Sequence, residues 1–388
     1  MIPIRYNLRN LAVRRATTLA TALGVGLVVF VLAAALMLTE GLRRTLSRSG
    51  QPDNAVVMRK GSDNELSSSI ANTQVGQIAS APGVKKDADG RPLAVGDVVA
   101  VIFADLANGK GKSNIVIRGV TPEGIAFRPE VKVVEGTLPR PGTEEVMVGR
   151  KIARRFEGLD LGGELELRKN RSAKVVGVFE AGGSSYESEV WGDLDYVAGA
   201  FGREGMVSMV RVRLESPALF DGFAAAVEQD KRLGFDAMPE LEFYEKASEQ
   251  TAVFITAMGV IIAVFFSIGA MIGAMITMYG AVANRRSEIG VLRALGFSRT
   301  TILVSFLFES VLLSLLGGLL GIAAASTLGM VKFSMMNFQT FSEIVFAFEP
   351  TSEILISALV FGGVMGVIGG FLPAIRAART APIEAMRG

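Results

Sequence analysis

The 388-residue chain has no cysteine and no histidine. Without cysteine there are no disulfides and no thiols to oxidise, so a large domain can face an oxidising compartment without harm. Without either residue the usual ligands of zinc and copper are missing. Ser-His and Cys-His nucleophile pairs cannot be assembled. Aspartate and glutamate are plentiful, but no spacing favours a carboxylate-based hydrolase. Tryptophan is reduced to Trp191, set among Glu187, Glu189, Asp193 and Asp195; it reads as a packing residue, with a carbohydrate or peptide platform as the alternative. A complete nucleotide loop is also lacking. Residues 108–113, Asn-Gly-Lys-Gly-Lys-Ser, resemble the end of G-x-x-x-x-G-K-[ST], whose backbone amides wrap phosphates. The first glycine of that pattern would stand at Leu106, so the segment reads as a hairpin turn.

Charge is missing from four long runs, residues 16–39, 251–283, 310–331 and 354–375. Each is long enough to span a bilayer core of about 30 Å as a helix. The first exceeds a signal-peptide core and is expected to stay as an anchor. The second is longer than a span requires, about 50 Å as a helix, which implies tilt or a projection beyond the membrane. Some 210 residues of ordinary soluble composition separate the first two runs. The segments before the first span, between the second and third, and after the fourth carry Arg5, Arg9, Arg14, Arg15, Arg285, Arg286, Arg293, Arg299, Arg376, Arg379 and Arg387, opposed by Glu288 and Glu384. The positive-inside rule places these segments in the cytoplasm and the large domain outside it.

The expected fold is an α-helical membrane protein with four transmembrane helices and a large extracytoplasmic α+β domain carrying an inserted β-rich lobe. Its divisions are a cytoplasmic elbow at 1–15, helix 1 at 16–39, the outer domain at 40–250 with the lobe at about 122–205, helix 2 at 251–283, a cytoplasmic segment at 284–300, helix 3 at 301–331, a short outer loop at 332–353, helix 4 at 354–375 and a tail at 376–388. In the outer domain, strands are expected at 54–59, 93–106 (as one or two), 114–120, 206–214 and 241–243. Helices are expected at 66–81, 151–156 and from Pro217 to about Leu233. The lobe has strands of its own near 145–148, 164–167 and 173–179.

Glycines four residues apart occur at Gly269 and Gly273, at Gly317 and Gly321, and at Gly362, Gly366 and Gly370. Such spacing lets helices approach closely in lipid, within one chain or between two copies. Glu309 is an isolated acid in an apolar stretch and is expected to make a structural hydrogen bond. The segment from Asn284 to Gly296, Asn-Arg-Arg-Ser-Glu-Ile-Gly-Val-Leu-Arg-Ala-Leu-Gly, reads as a short helix ended by glycine. It could anchor to anionic lipid, yet Ile289, Val291, Leu292 and Leu295 give it apolar surface beyond an anchor's need.

This segment, followed by Phe308-Glu-Ser-Val-Leu-Leu-Ser-Leu-Leu-Gly-Gly-Leu-Leu-Gly321, resembles the FtsX-like permease domain of ABC transporters. The terminal Pro373-Ala-Ile-Arg-Ala-Ala-Arg-Thr-Ala-Pro-Ile-Glu-Ala-Met-Arg387 resembles the same family, with Met386 for the usual leucine. The start and outer domain resemble the MacB-like periplasmic core. The resemblance implies a bacterial inner-membrane permease, not itself an enzyme, that works as a dimer with a separate pair of ATPase subunits. ATP and magnesium would be bound there, with no cofactor on this chain. Arg285, Arg286, Glu288, Ile289, Val291, Leu292, Arg293, Leu295 and Gly296 would form the coupling helix that docks into the ATPase. Membrane lipid is an expected partner, nucleic acid is not. Periplasmic efflux with an adaptor and outer-membrane channel is the function implied first. LolC/LolE-like extraction of a lipid-anchored molecule and FtsX-like signalling to a cell-wall hydrolase are the alternatives.

Overall fold

The computed structural model describes residues 15–109, 111–229, 234–337 and 341–380. The expected elbow before Arg15, and Glu384 and Arg387 of the tail, lie outside the described residues. In chain order the elements are α1 (Arg15–Ser47), β1 (Asn54–Arg59), β2 (Ile70–Ala71), α2 (Asn72–Ala79), β3 (Ala94–Asp105), β4 (Lys112–Val120), α3 (Pro122–Ala126), β5 (Lys132–Gly136), β6 (Glu145–Gly149), β7 (Glu164–Arg168), β8 (Arg171–Glu180), β9 (Glu189–Asp193), α4 (Leu194–Ala200), β10 (Met206–Val207), β11 (Met209–Arg213), α5 (Phe220–Glu228), β12 (Phe235–Pro239), α6 (Glu240–Asn284), α7 (Arg286–Ala294), α8 (Arg299–Thr327), β13 (Lys332–Met336), β14 (Glu343–Ala347) and α9 (Ser352–Ala378). Helices α1, α6, α8 and α9 are long and apolar enough to cross a membrane. The chain forms two compact units. A membrane unit holds the residues up to Glu40, Val253–Val331 and those from Ala347 on; a polar unit holds Gly41–Ala252 and Lys332–Phe346.

The polar unit is built on a ten-stranded sheet ordered β12-β1-β11-β3-β4-β9-β6-β8-β5, with β7 paired to β8. Strand β3 serves two partners. Its first residues pair with β11 (Asp97 with Met209), and its later ones pair with β4 from Val98–Gly119 to Asp105–Lys112. Strands β5 to β9 come from the expected insertion. They join the sheet through the parallel β4–β9 pair, Val116 with Glu189 to Val120 with Asp193, and extend one sheet path instead of standing as a separate sheet. Ala55, Val57, Val98, Ile115, Ile117, Val148, Val190 and Val210 are buried in its core.

Four local expectations change. The helix expected at 66–81 starts only at Asn72: the Asn64 side chain takes the Leu66 and Ser67 amides, and β2 pairs with β10. Residues 151–156 form turns, with Arg154 in the left-handed region at φ 63°, which no helix accommodates. Residues 241–243 are helical, in the first turn of α6, and the strand precedes them as β12. The outer loop at 332–353 contains the β13–β14 hairpin, whose Val345 joins the core of the polar unit. Arg155 pairs with Glu343 and donates to Ser334 Oγ at 2.6 Å, and Asn114 donates to the Phe341 carbonyl at 2.5 Å.

In the membrane unit, glycines sort by partner. A Cβ at Gly317 would lie 2.4 Å from the Ala22 carbonyl oxygen, and one at Gly321 would lie 2.3 Å from that of Gly26; these positions let α1 and α8 cross backbone to backbone. Gly366 and Gly370 leave room for Ser314 and Ser310 of α8, and the Ser310 hydroxyl donates to the Gly366 carbonyl at 2.8 Å. Gly362 abuts Val29. Gly269 and Gly273 meet nothing within 4 Å. With Gly24, Ala20 and Thr277 they line an open groove of about 370 Å³ between α1 and α6.

Candidate functional site

The segment expected to act as a coupling helix folds as α7. Arg285, at φ −109° and ψ 16°, breaks the helical path after α6, and Gly296 at φ 93° ends α7. The Ser298 hydroxyl then caps α8 by accepting from the Thr301 amide at 3.1 Å. The nine residues expected to dock divide between two faces. Arg285 and Ile289 point inward and are 6% and 1% exposed, and Gly290 is buried with them. Arg286, Glu288, Val291, Leu295 and Gly296 are exposed, and Leu292 and Arg293 lie between. Ile289 packs with Met278, Val282, Ile302, Phe306, Ala374 and Ala377. Of the expected docking set, Arg285 and Ile289 are buried within the chain and hold the segment in place, while Glu288, Val291 and Leu295 stand on its exposed face. The acid Glu309, expected to make a hydrogen bond, accepts one from Arg285 at 2.8 Å.

A second constellation lies in the polar unit and was absent from the sequence reading. Arg118 (β4), Arg128 and Arg211 (β11) are buried together with Glu65, Asp97 (β3), Glu189 (β9) and Glu240. Arg118 grips Glu189 with two bonds, at 2.7 and 2.9 Å, and reaches Glu65 at 2.9 Å. Arg211 and Arg128 both pair with Asp97, and Arg211 Nε donates to Glu240 at 2.7 Å. Burial pushes the Asp97 carboxyl up, but Arg128, Arg211 and Arg118 together hold it below its ordinary value. Glu240 opens α6, where an anion suits the helix N-terminus. Its other oxygen accepts from Asn54 at 2.8 Å and from the Gln51 amide at 3.0 Å. Tyr244, one turn into α6, accepts from Arg211 at 3.0 Å and bonds the Tyr186 hydroxyl at 2.8 Å. Ser49, just past α1, bonds Ser185 at 2.7 Å. The cluster thus ties the end of α1 and the start of α6 to four strands of one sheet.

Trp191 belongs to this cluster. It is fully buried, its indole donates to Glu189 at 2.7 Å, and the Arg128 guanidinium lies 5.2 Å from its ring. It packs, and offers no platform. The segment expected at 108–113 to be a hairpin turn lies where β3 and β4 pair antiparallel up to Asp105 with Lys112.

Lys151 staples the loop beside Ser185. Its Nζ donates to the carbonyls of Gly183 at 2.8 Å and Ser184 at 3.2 Å. Burial lowers its pKa to about 8, against the pull of Glu187. An unfolded lysine holds its proton to about 10.4, so between these values the unfolded chain binds more protons, and stability rises with pH through that window. The expected result is a higher urea midpoint at pH 9.5 than at pH 7.5, with a smaller rise in Lys151→Met. Equal rises in both proteins refute the assignment.

Two family models match the chain: the MacB-like periplasmic core domain over residues 17–230 and the FtsX-like permease C-terminal over residues 260–382. Among curated relatives, an uncharacterized ABC transporter permease of Methanocaldococcus jannaschii, MJ1507, is 26% identical over 57% of this chain and 56% of its own length. The macrolide export ATP-binding/permease protein MacB of Escherichia coli is 25% identical over 71% of this chain and 42% of its own. The MacB of Burkholderia lata is 34% identical over 58% and 33%. The chain thus spans about half, or less, of the length of the curated relatives it matches. Among solved structures, the extracellular domain of the YknZ transporter from Gram-positive bacteria covers 48% of this chain and 99% of its own at 18% identity and TM-score 0.36. The periplasmic region of MacB from Actinobacillus actinomycetemcomitans covers 51% and 93% at 9% identity and TM-score 0.37. With four helices fit to cross a membrane and both family models covering successive parts of it, the chain belongs to the family of ABC transporter permeases that join a MacB-like periplasmic core domain to an FtsX-like permease region.

Proposed function

We propose that the chain is a permease subunit that carries ATP-driven motion from a separate ATPase pair to its polar unit, in efflux of periplasmic substrate with an adaptor and an outer-membrane channel. Two copies form the working unit, since one chain offers one α7 and an ATPase pair needs two docking sites. The open α1–α6 groove at Gly269 and Gly273 is the proposed seam between copies. The arginine-rich ends and the α6–α8 connection lie in the cytoplasm, by the positive-inside rule. ATP and magnesium belong to the partner chain.

One observation carries this reading. Segment α7 is anchored on one side and exposes Glu288, Val291 and Leu295 (47% exposed for Val291, 72% for Leu295) on the other. Glu288 is the acid among Arg285, Arg286, Arg293 and Arg299 and suits a basic patch on a partner. Upstream, α6 runs unbroken over 45 residues from Glu240 to Asn284, about 68 Å at 1.5 Å per residue. A rod of that length, rooted in the buried charge cluster, is a fit lever. The expected result is that the wild-type chain copurifies with its ATPase, and that Glu288→Lys loses the ATPase while remaining folded and inserted. A Glu288→Lys protein that keeps the ATPase and transports normally removes α7 as the contact.

A further inference from the structure

Arg285 is the residue between two helices, α6 ending at Asn284 and α7 starting at Arg286. A cation at such a turn ordinarily reaches for water. Here the guanidinium is buried, donates from Nη1 to Glu309 Oε2 at 2.8 Å and lies 4.9 Å from the Phe306 ring. Glu309 is itself 5% exposed. Both anchors of the guanidinium, Phe306 and Glu309, sit on α8 three residues apart, on one face of that helix. The Glu288 carboxylate flanks it at 3.5 Å from Nε. One turn on, Ile289 enters the apolar group formed by α6, α8 and α9.

Apolar side chains of similar volume hold such a junction as well as an ion pair does. What the pair adds is direction. A guanidinium and a carboxylate bond in a narrow range of geometries, and sliding them apart strands two charges among Phe306, Ile289 and Ile302. The far end of α7 is closed by local bonds, Arg293 Nη1 to the Phe297 carbonyl at 2.9 Å and the Phe297 amide to the Leu292 carbonyl at 3.1 Å, which hold the turn at Gly296 itself and do not reach the body of α8.

We propose that Arg285 and Glu309 are a positioning pair that keys α7 to α8, so that α6, α7 and the first half of α8 move as one rigid body when α7 is pushed. This rests on α7 as the ATPase contact for its purpose, but the lock is a property of the chain alone. Without it, a push on α7 would bend the Arg285 and Gly296 turns and be absorbed there.

The absence of native cysteine makes the test direct. Nitroxide labels at Val291→Cys on α7 and Phe308→Cys in the first half of α8, both exposed, report the distance between the two helices in the full chain in lipid nanodiscs. The expected wild-type result is one narrow distance distribution. Glu309→Gln and Arg285→Lys each broaden it, and the exchange Arg285→Glu with Glu309→Arg narrows it again. The thermal midpoint of each variant is measured in parallel; broadening in Arg285→Lys at an unchanged midpoint separates positioning from plain stability. An unchanged distribution in both single variants overturns the lock. Broadening in the variants, together with a wild-type chain that binds no ATPase, overturns the coupling reading and leaves the lock standing.

Discussion

Arg211→Ala lowers the stability of the polar unit by about 3–5 kcal/mol, the cost of removing one partner from a buried ion pair. The measurement is urea unfolding of the intact chain followed by fluorescence of Trp191, the sole tryptophan. Trp191 is fully buried inside the cluster being perturbed. Arg211 is itself fully buried and bonds Asp97, Glu240, Glu65 and Tyr244. Alanine leaves Asp97 with Arg128 and Arg118, but leaves the inner oxygen of Glu240 without its cation. A domain has about 5–15 kcal/mol in total, so the variant sits near the folding threshold. The contrast is Arg140→Ala. Arg140 bonds Glu145 at 2.6 Å, and holds that carboxyl at a pKa of about 2. That arginine is 76% exposed, so water screens the pair and its loss is expected to leave the midpoint close to the wild type's. Bond lengths are alike; burial separates the outcomes. Midpoints for Arg211→Ala and Arg140→Ala that agree would show the cluster to be solvated and dispensable.

Gly317→Val separates α1 from α8. The added Cβ would meet the carbonyl oxygen, carbonyl carbon and Cα of Ala22 at 2.4–3.1 Å, all of them backbone atoms that cannot rotate away. Overpacking of this kind costs about 1–3 kcal/mol, occasionally more. In the full chain it is expected as a marked loss of monodisperse protein on heating in detergent. Gly280→Ala, on α6 with nothing within 4 Å and outside the α1–α6 groove, is expected to keep the wild-type profile in that assay. Equal losses at the two positions would mean that any added methyl on these helices is destabilising and that the Gly317 contact is not special. Equal retention would mean that α1 and α8 do not cross at Gly317.

The four spans were legible because charge vanishes from them, yet the helices outrun the apolar runs. Helix α1 continues through Glu40, Arg43 and Arg44 to Ser47, since backbone hydrogen bonds propagate a helix regardless of polarity. The β13–β14 hairpin hid between two apolar runs, its Lys-Phe-Ser-Met-Met and Glu-Ile-Val-Phe-Ala strands too short to announce themselves. The short helix α7 was legible from its mixed apolar and basic pattern. Its inward half was not, because Arg285 beside Arg286 reads as surface and its partner Glu309 stands 24 residues away. The charge cluster was illegible for the same reason on a larger scale. Arg118 and Arg211 sit in Val-rich strands as if on a wet face, and only the β11-β3-β4-β9 order brings them to Asp97 and Glu189. The glycine spacing was identical in three helices; contact distances alone told the packed pairs from the open one.

The most direct measurement places a nitroxide at Phe103→Cys, a 76% exposed position on β3 of the polar unit, in the proposed complex of two permease copies with an ATPase pair. Distances between the two labels are recorded without nucleotide and with the ATPase trapped by vanadate. If α7 receives the ATPase motion and α6 carries it to the polar unit, the distribution shifts between the two states, and the shift disappears in Glu288→Lys. Identical distributions in both states, in a wild-type complex that hydrolyses ATP and transports, would contradict transmission through this chain.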